Sequence, residues 1–211
     1  VTPTRVFAIR HGESTWNVLR AKYSKEEDRY HPRMYTPDCG ITTKGIEQSR
    51  QAGHALSKEL LGEDEFLLIT SPLKRALQTS HYALQTCLQK ATSIIVHPAA
   101  TEVMTDACDI GTEATSLEAE FPNYDYKLLK KADNPYWWPH GKSIEETWER
   151  MRTGQPEGIE SEEMCQLRLR EFQDFIKSCS SKVIVVVCHS EIIWWITSKM
   201  KQGERFGIWT S

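Results

Sequence analysis

Four short apolar runs constrain this chain more than any other feature. They read VFAI at residues 6–9, FLLI at 66–69, IIV at 94–96 and VIVVV at 183–187. Each is continuous rather than alternating. A strand with one wet face alternates polar and apolar residues, whereas an unbroken apolar run belongs to a strand covered on both faces, as in parallel sheets. Amphipathic segments separate the runs. Between residues 43 and 61, Ile46, Gly53, Leu56 and Leu60 recur at helical spacing, with Thr42 or Thr43 as the N-cap. Ser71-Pro72 reads as an N-cap followed by proline at the first helical position, ahead of a stripe through Leu73, Leu77, Ser80, Leu84 and Cys87 or Leu88. Residues 160–179 place Met164, Leu167, Phe172, Phe175 or Ile176, and Cys179 on one face. A last helix starts near Ser190 and is apolar enough, through Ile192, Ile193, Trp194, Trp195 and Ile196, to be largely buried.

Strands alternating with helices predict an α/β fold: a three-layer sandwich with a mostly parallel central sheet flanked by helices. A length of 211 residues suits a single domain spanning 1–211. Two irregular stretches break the alternation. Residues 21–39 are polar, contain two prolines and predict a long loop. Residues 105–157, rich in Pro, Asp, Trp and Tyr, predict a cap insertion folded over one end of the sheet.

Ligands of parallel sheets bind at the carboxyl ends of the strands. The first run ends in Arg10, His11, Gly12, Glu13, Ser14, Thr15, Trp16 and Asn17; the second leads through Ser71-Pro72-Leu73-Lys74 to Arg75. Glu102 follows the third, and Cys188-His189-Ser190-Glu191 follows the last. Two Arg, two His and one carboxylate, with helix N-termini beside them, suit a small anion such as a phosphoryl group. The sites are far apart in sequence, so spacing alone does not establish that they converge.

Composition excludes some partners. Lys plus Arg number 26 against 29 Asp plus Glu, a net charge of -3, which leaves no cationic surplus for a nucleic acid. The longest apolar run, residues 183–188, is far short of the ~20 residues that span a bilayer, so no membrane partner is expected. Cysteines at 39, 87, 108, 165, 179 and 188 show no CxxC spacing and no histidine cluster, which predicts reduced thiols, no zinc site and a cytoplasmic location. The chain opens at Val1 without Met, so a trimmed targeting segment stays open as an alternative.

Arg-His-Gly-Glu-Ser after a first strand, Ser-Pro-Leu-Lys-Arg-Ala at a helix start and a late strand ending in His-Ser together resemble the histidine phosphatase superfamily. This is the family of cofactor-dependent phosphoglycerate mutases and fructose-2,6-bisphosphatases. The resemblance runs from Val6 to about Ser198 and implies a phosphoglycerate mutase-like fold. It implies His11 as the nucleophile that forms a phosphohistidine, splitting transfer into two easier steps. Arg10 and Arg75 are implied as bidentate clamps on the phosphoryl oxygens. Asn17, His189 (best as the imidazolium) and Ser190 complete the implied phosphate-binding set. Glu102 is implied as the general acid that then activates water, with a raised pKa; Glu113 and Glu118 are nearby rivals. No metal and no other cofactor is implied, since the donors themselves supply the electrostatic stabilisation.

After Glu102 the text Val103-Met104-Thr105-Asp106-Ala107-Cys108-Asp109-Ile110-Gly111 departs from the mutases of the family. It looks like a phosphatase branch with a Cys-Asp-x-Gly segment, followed here by Glu120-Phe121-Pro122, a Trp-Trp-Pro stretch, and Glu160-Ser161 with Arg168 along the next helix. The resulting expectation is a metal-independent phosphatase of small phosphorylated metabolites. Phosphoglycerate mutase and phosphoprotein phosphatase are the alternatives within the class, and a homodimer is left open. A non-catalytic binding module is the alternative outside it, disfavoured because His11 and Glu102 are both present.

Other residues carry plainer readings. Lys127, Lys130, Lys131 and Lys142 in the cap either bind a second anionic group or are simply solvated. His54, His81 and His97 read as surface or satisfied core histidines, while His31 and His140 are placed where they could approach a substrate. Cys188 reads as a buried thiol. The Trp137-Trp138 and Trp194-Trp195 pairs read as packing, and Glu26-Glu27-Asp28 as a solvated face.

Overall fold

The computed structural model describes residues 5–23, 25, 29–63, 65–85, 90–130, 134–198 and 206–209. The strands are β1 (Arg5–Arg10), β2 (Phe66–Thr70), β3 (Ala91–Val96), β4 (Val183–Cys188) and β5 (Phe206–Trp209). They form one sheet in the order β3-β2-β4-β1-β5, and every pairing is parallel. The helices are α1 (Thr15–Lys22), α2 (Thr43–Glu59), α3 (Lys74–Leu84), α4 (Ala114–Glu120), α5 (Ile144–Arg152), α6 (Glu162–Ser178) and α7 (Ser190–Ser198).

The unbroken apolar runs serve two layers at once. In β4, Ile184, Val186 and Cys188 pack with Leu169, Phe172 and Ile176 of α6 and Ile192, Ile193 and Ile196 of α7. Val183, Val185 and Val187 face the other way, onto Leu56 and Ala52 of α2 and Ala76, Ala83 and Leu84 of α3. The period of two repeats in β1, where Val6 and Ala8 join the first cluster and Phe7 and Ile9 the second, and in β2 with Leu67 and Ile69 against Phe66 and Leu68. Each aliphatic side chain withdrawn from water contributes ~1.5–3 kcal/mol, so a run with two buried faces needs helices on both. On the α2/α3 side the helices touch at Gly53, where an added Cβ would lie 1.9 Å from the Ala83 carbonyl oxygen. Among the described residues no helix is long and apolar enough to cross a membrane.

The structure departs from the sequence reading in several places. Helix α1 is unpredicted; it buries no side chain, so it has no apolar stripe, and its start is held by a capping box between Ser14 and Asn17. Helix α3 begins at Lys74 rather than Pro72, because its first amide is capped from elsewhere: the Lys74 N–H donates to Asp38 Oδ1 at 2.7 Å. Trp194 is 64% exposed rather than packed, since α7 turns its isoleucines and, in part, Trp195 inward. Strand β5 lies beyond the last predicted element.

The stretch 105–157 does not act simply as a cover over the sheet end. Leu117, Tyr124, Tyr126 and Leu129 pack on Val96 and Leu77 beside β3. Asp125 pairs with Ile95 in a parallel bridge, which shields the β3 edge. Trp138 is buried with Met104, Ile110 and Met151. The stretch 21–39 leans on the same region: Tyr30 and Tyr35 contact Trp148, and Arg29 pairs with Asp106 at 2.7 Å. Cys87, Leu88, Lys131 and Glu26-Glu27-Asp28 lie outside the described residues.

Candidate active site

The C-terminal ends of β1, β2 and β4 bring their following residues together, as the connection rule for parallel sheets requires. Arg10, His11, Asn17, Arg75, Glu102 and Ser190 line one cavity of about 490 Å³, along with Trp16, Val103, Asp106 and Glu191. His189 lies outside the cavity wall, wholly buried, with its ring centre 5.1 Å from that of His11. Glu113 and Glu118 do not line the cavity; Glu118 is paired with Lys130.

The loop carrying His11 is pinned from three sides. The His11 backbone N–H donates to the Cys188 carbonyl of β4 at 3.0 Å, and the Gly12 N–H donates to Thr79 Oγ1 of α3 at 3.0 Å. Glu13 accepts from Thr42 Oγ1 at 2.9 Å and pairs with Lys44, which ties the loop to the start of α2. The approach is so close that a Cβ on Gly12 would meet the Gly45 carbonyl oxygen at 2.3 Å.

His11 Nδ1 lies 2.8 Å from the Gly12 carbonyl oxygen. A carbonyl only accepts, so the proton sits on Nδ1 and Nε2 carries the lone pair. Burial, then Arg75 and Arg10, lower the His11 pKa to about 3 despite the Gly12 hydrogen bond, so the ring is neutral. His189 is likewise held well below the ordinary histidine range, by burial first and then by Arg75 and His11. Its ring is therefore neutral while no anion is bound, whereas the sequence expectation of an imidazolium concerns the phosphate-bound site. Its Nε2 is 2.8 Å from Ser71 Oγ, which already accepts from the Leu73 N–H. A hydroxyl oxygen has a second lone pair, so this contact fits either tautomer; with the Ser71 hydroxyl proton on Nε2, the His189 proton rests on Nδ1. That nitrogen and Arg10 Nε are buried without a hydrogen-bond partner.

Arg75 is 3% exposed and is held from beneath. Its Nη1 donates to the Cys108 carbonyl at 2.5 Å and its Nη2 to Asp109 Oδ1 at 2.8 Å. Asp109 Oδ2 in turn accepts from the Thr105 and Asp106 amides at 3.2 and 3.0 Å. Asn17 Oδ1 accepts from the Ser14 amide at 2.9 Å, which turns its Nδ2 hydrogens away from the cap. Ser190 opens α7, so its amide end adds the partial positive charge of a helix N-terminus.

Glu102 is raised to about 7, by burial first and by Asp109 second, against the opposing pull of Arg75. Its loop is stapled by Arg168. That guanidinium grips Glu160 with two bonds of 2.7 and 2.6 Å and donates to the Ala99 and Thr101 carbonyls at 2.8 and 3.0 Å. Glu160 closes the loop from the other side, its amide donating to the Met104 carbonyl at 2.9 Å.

Several expected neighbours are elsewhere. Lys127, Lys130 and Lys142 pair with Asp125, Glu118 and Glu146 and do not line the cavity, so they are no second anion site. His31 and His140 are also outside it: His31 caps a short helical turn, and His140 Nε2 lies 2.8 Å from the Ile159 carbonyl. His97 packs on Phe172 and Phe175, and Cys188 is buried. Sequence reasoning missed the supporting roles of Asp109, Ser71 and Thr79. Asp109 stood inside the noted Cys-Asp-x-Gly segment, but nothing in that segment points to Arg75.

A sheet of this topology, with two histidines and two arginines gathered at its carboxyl end, defines a class. The chain belongs to the histidine phosphatase superfamily (branch 1), whose family model matches residues 6–209. Among individual proteins, a probable phosphatase of Schizosaccharomyces pombe is 28% identical over 122 residues, 57% of this chain and 51% of its own length. A 2,3-bisphosphoglycerate-dependent phosphoglycerate mutase of Treponema denticola is 35% identical over 82 residues, 38% of this chain and 27% of its own. The chain thus spans about half, or less, of the curated relatives it matches. The crystal structure of the alpha-ribazole phosphatase from Shigella flexneri shares the fold, with a TM-score of 0.53 at 19% identity over 93% of this chain and 79% of that one.

Proposed function

We propose that this chain hydrolyses phosphomonoesters through a phosphohistidine on His11, without a metal ion. The observation that carries the reading is the 2.8 Å contact between His11 Nδ1 and the Gly12 carbonyl. It makes Nε2 the basic nitrogen of a neutral imidazole, in a cavity shared with two guanidinium groups. Nε2 attacks phosphorus and the ester oxygen leaves with the Glu102 proton. Water, deprotonated by Glu102, then attacks the phosphohistidine and returns inorganic phosphate and neutral His11.

Arg10 and Arg75 hold the equatorial oxygens; neither loses its charge at working pH, so both stabilise the charge throughout. The partnerless His189 Nδ1 and Arg10 Nε are assigned to phosphoryl oxygens, since buried donors are normally satisfied. Asn17 Nδ2 and the Ser190 amide end are assigned to the same group. Arg75 is shared with Asp109, which fixes its fork before substrate arrives. Small phosphorylated metabolites fit a cavity of about 490 Å³. Hydrolysis is favoured over isomerisation because Arg10 and Arg75 are the only cations among the described residues that line it. A second anionic group therefore has no partner there. We further assign residues 1–211 to one domain, with 105–157 as an insertion that contributes Asp106, Cys108 and Asp109 to the pocket.

The test is turnover of p-nitrophenyl phosphate in EDTA. Activity that survives chelation, disappears in His11→Ala and passes through an acid-labile, base-stable phosphoenzyme is expected. Loss of activity on chelation, or equal rates for wild type and His11→Ala, overturns the mechanism. Conversion of 3-phosphoglycerate to 2-phosphoglycerate without release of phosphate overturns the choice of hydrolysis.

A further inference from the structure

Glu102 marks the side of the pocket where the leaving group departs, and its surroundings there are acidic. Glu191, in the first turn of α7, lines the same cavity and is close enough to contribute to the raised pKa of Glu102. Its side chain is exposed, and no ion pair neutralises it among the described residues. Asp106, also in the wall, is neutralised by Arg29. Arg10 and Arg75 belong to the phosphoryl end, and Lys127, Lys130 and Lys142 are paired elsewhere.

Val103 and Glu191 also line a second cavity of about 730 Å³ between α6 and α7, so the two spaces meet at these residues. Past them the second cavity offers Cys165, Leu169, Trp194 and Trp195. Of its own charged residues, Glu160 is held by Arg168 and the others are split along α6. Glu162 opens the helix, while Arg170 stands eight residues further on, about 12 Å along the axis. The junction is therefore anionic, and the space beyond it is mixed, with Leu169, Trp194 and Trp195 beside Gln166, Gln173 and Arg170.

We propose that Glu191 selects the leaving group. Preferred substrates are phosphate monoesters of amino alcohols, with the ammonium group on Glu191 and any apolar extension in the α6/α7 cavity. Esters whose leaving group carries a carboxylate or a second phosphate are disfavoured. The proposal rests on the hydrolysis reading above and adds the charge of the group released. One charge pair, taken between its bulk-water and protein-surface strengths, is worth about tenfold in specificity.

The test compares kcat/KM for O-phosphoethanolamine and 3-phosphoglycerate in wild type, Glu191→Gln and Glu191→Lys at one pH. Glu191 also acts on Glu102, but that effect falls on both alkyl esters and cancels in their ratio, while p-nitrophenyl phosphate reports basal hydrolysis in each variant. A wild-type ratio of about tenfold or more for the amino alcohol ester, near unity in Glu191→Gln and inverted in Glu191→Lys, is expected. A wild-type ratio near or below one, or a ratio untouched by Glu191→Gln, overturns the proposal while leaving hydrolysis intact. Failure to hydrolyse even p-nitrophenyl phosphate overturns the hydrolysis reading, and the selection with it.

Discussion

Asp109→Asn tests whether Arg75 is held by a buried anion. Asp109 is 4% exposed and spends both oxygens: Oδ1 on Arg75 Nη2 at 2.8 Å, Oδ2 on the Thr105 and Asp106 amides at 3.2 and 3.0 Å. Asparagine has one acceptor oxygen, so in either amide orientation an NH₂ group faces an N–H donor. Breaking a buried ion pair from one side costs ~3–5 kcal/mol, and the retained half of the contacts puts this substitution near 3. For a chain of this size 1 kcal/mol shifts the melting temperature by ~2–4 °C, so the midpoint should fall by about 6–12 °C in a circular dichroism melt at pH 7. A second readout follows from the charge. Asp109 helps to raise the Glu102 pKa, so its loss should move the falling limb of the kcat–pH profile to lower pH. A midpoint within about 2 °C of wild type, together with an unmoved limb, would refute the reasoning.

Other substitutions probe the remaining parts. With its pKa raised to about 7, Glu102 can serve as the proposed acid only below that pH, so kcat should fall as pH rises through about 7, and Glu102→Gln should erase the limb. Glu102→Gln should slow alkyl phosphates by ~10²–10⁴, and p-nitrophenyl phosphate much less, since its leaving group needs little protonation. The folded state binds this proton more tightly than the unfolded chain, so the carboxyl costs stability as pH rises from about 4.5 to 7. The melting advantage of Glu102→Gln should open across that window and be absent at pH 4; a gap that shrinks with rising pH contradicts the assignment. Ser71→Ala removes the hydrogen-bond partner of His189 Nε2 and should cost ~1 kcal/mol, read as a roughly fivefold loss in kcat/KM and a weaker Ki for inorganic phosphate. Gly53→Ala should lower the urea midpoint, although helix propensity alone favours alanine by ~1 kcal/mol; a raised midpoint would show that α2 and α3 can separate without penalty.

Much of the site was readable because it sits where a parallel sheet puts its ligands. Arg10 ends β1, His11 and Asn17 come just after it, and Ser190 opens the helix after β4, so locating the strands located them. Glu102 was harder to choose by sequence, with Glu113 and Glu118 nearby. The structure separates them: Glu102 lines the pocket, Glu113 precedes α4, and Glu118 pairs with Lys130 on the surface. The lowered pKa of His189 has a cause no local pattern carries. Protonation follows burial and neighbouring charge, and here Arg75, His11, Arg168 and Arg10 all oppose a further positive charge.

The sequence by itself determined the layers and the polarity of the site. Unbroken runs such as VIVVV must be covered on both faces, and a parallel sheet so covered exposes its strand ends to ligand. Only the tertiary structure decided how the functional groups are held. Arg75 meets Asp109 across 34 positions, Ser71 meets His189 across 118, and Asp38 caps α3 from 36 residues away. These pairings depend on distance and burial in the folded chain, where a short, dry contact outweighs anything a residue's sequence neighbours can dictate.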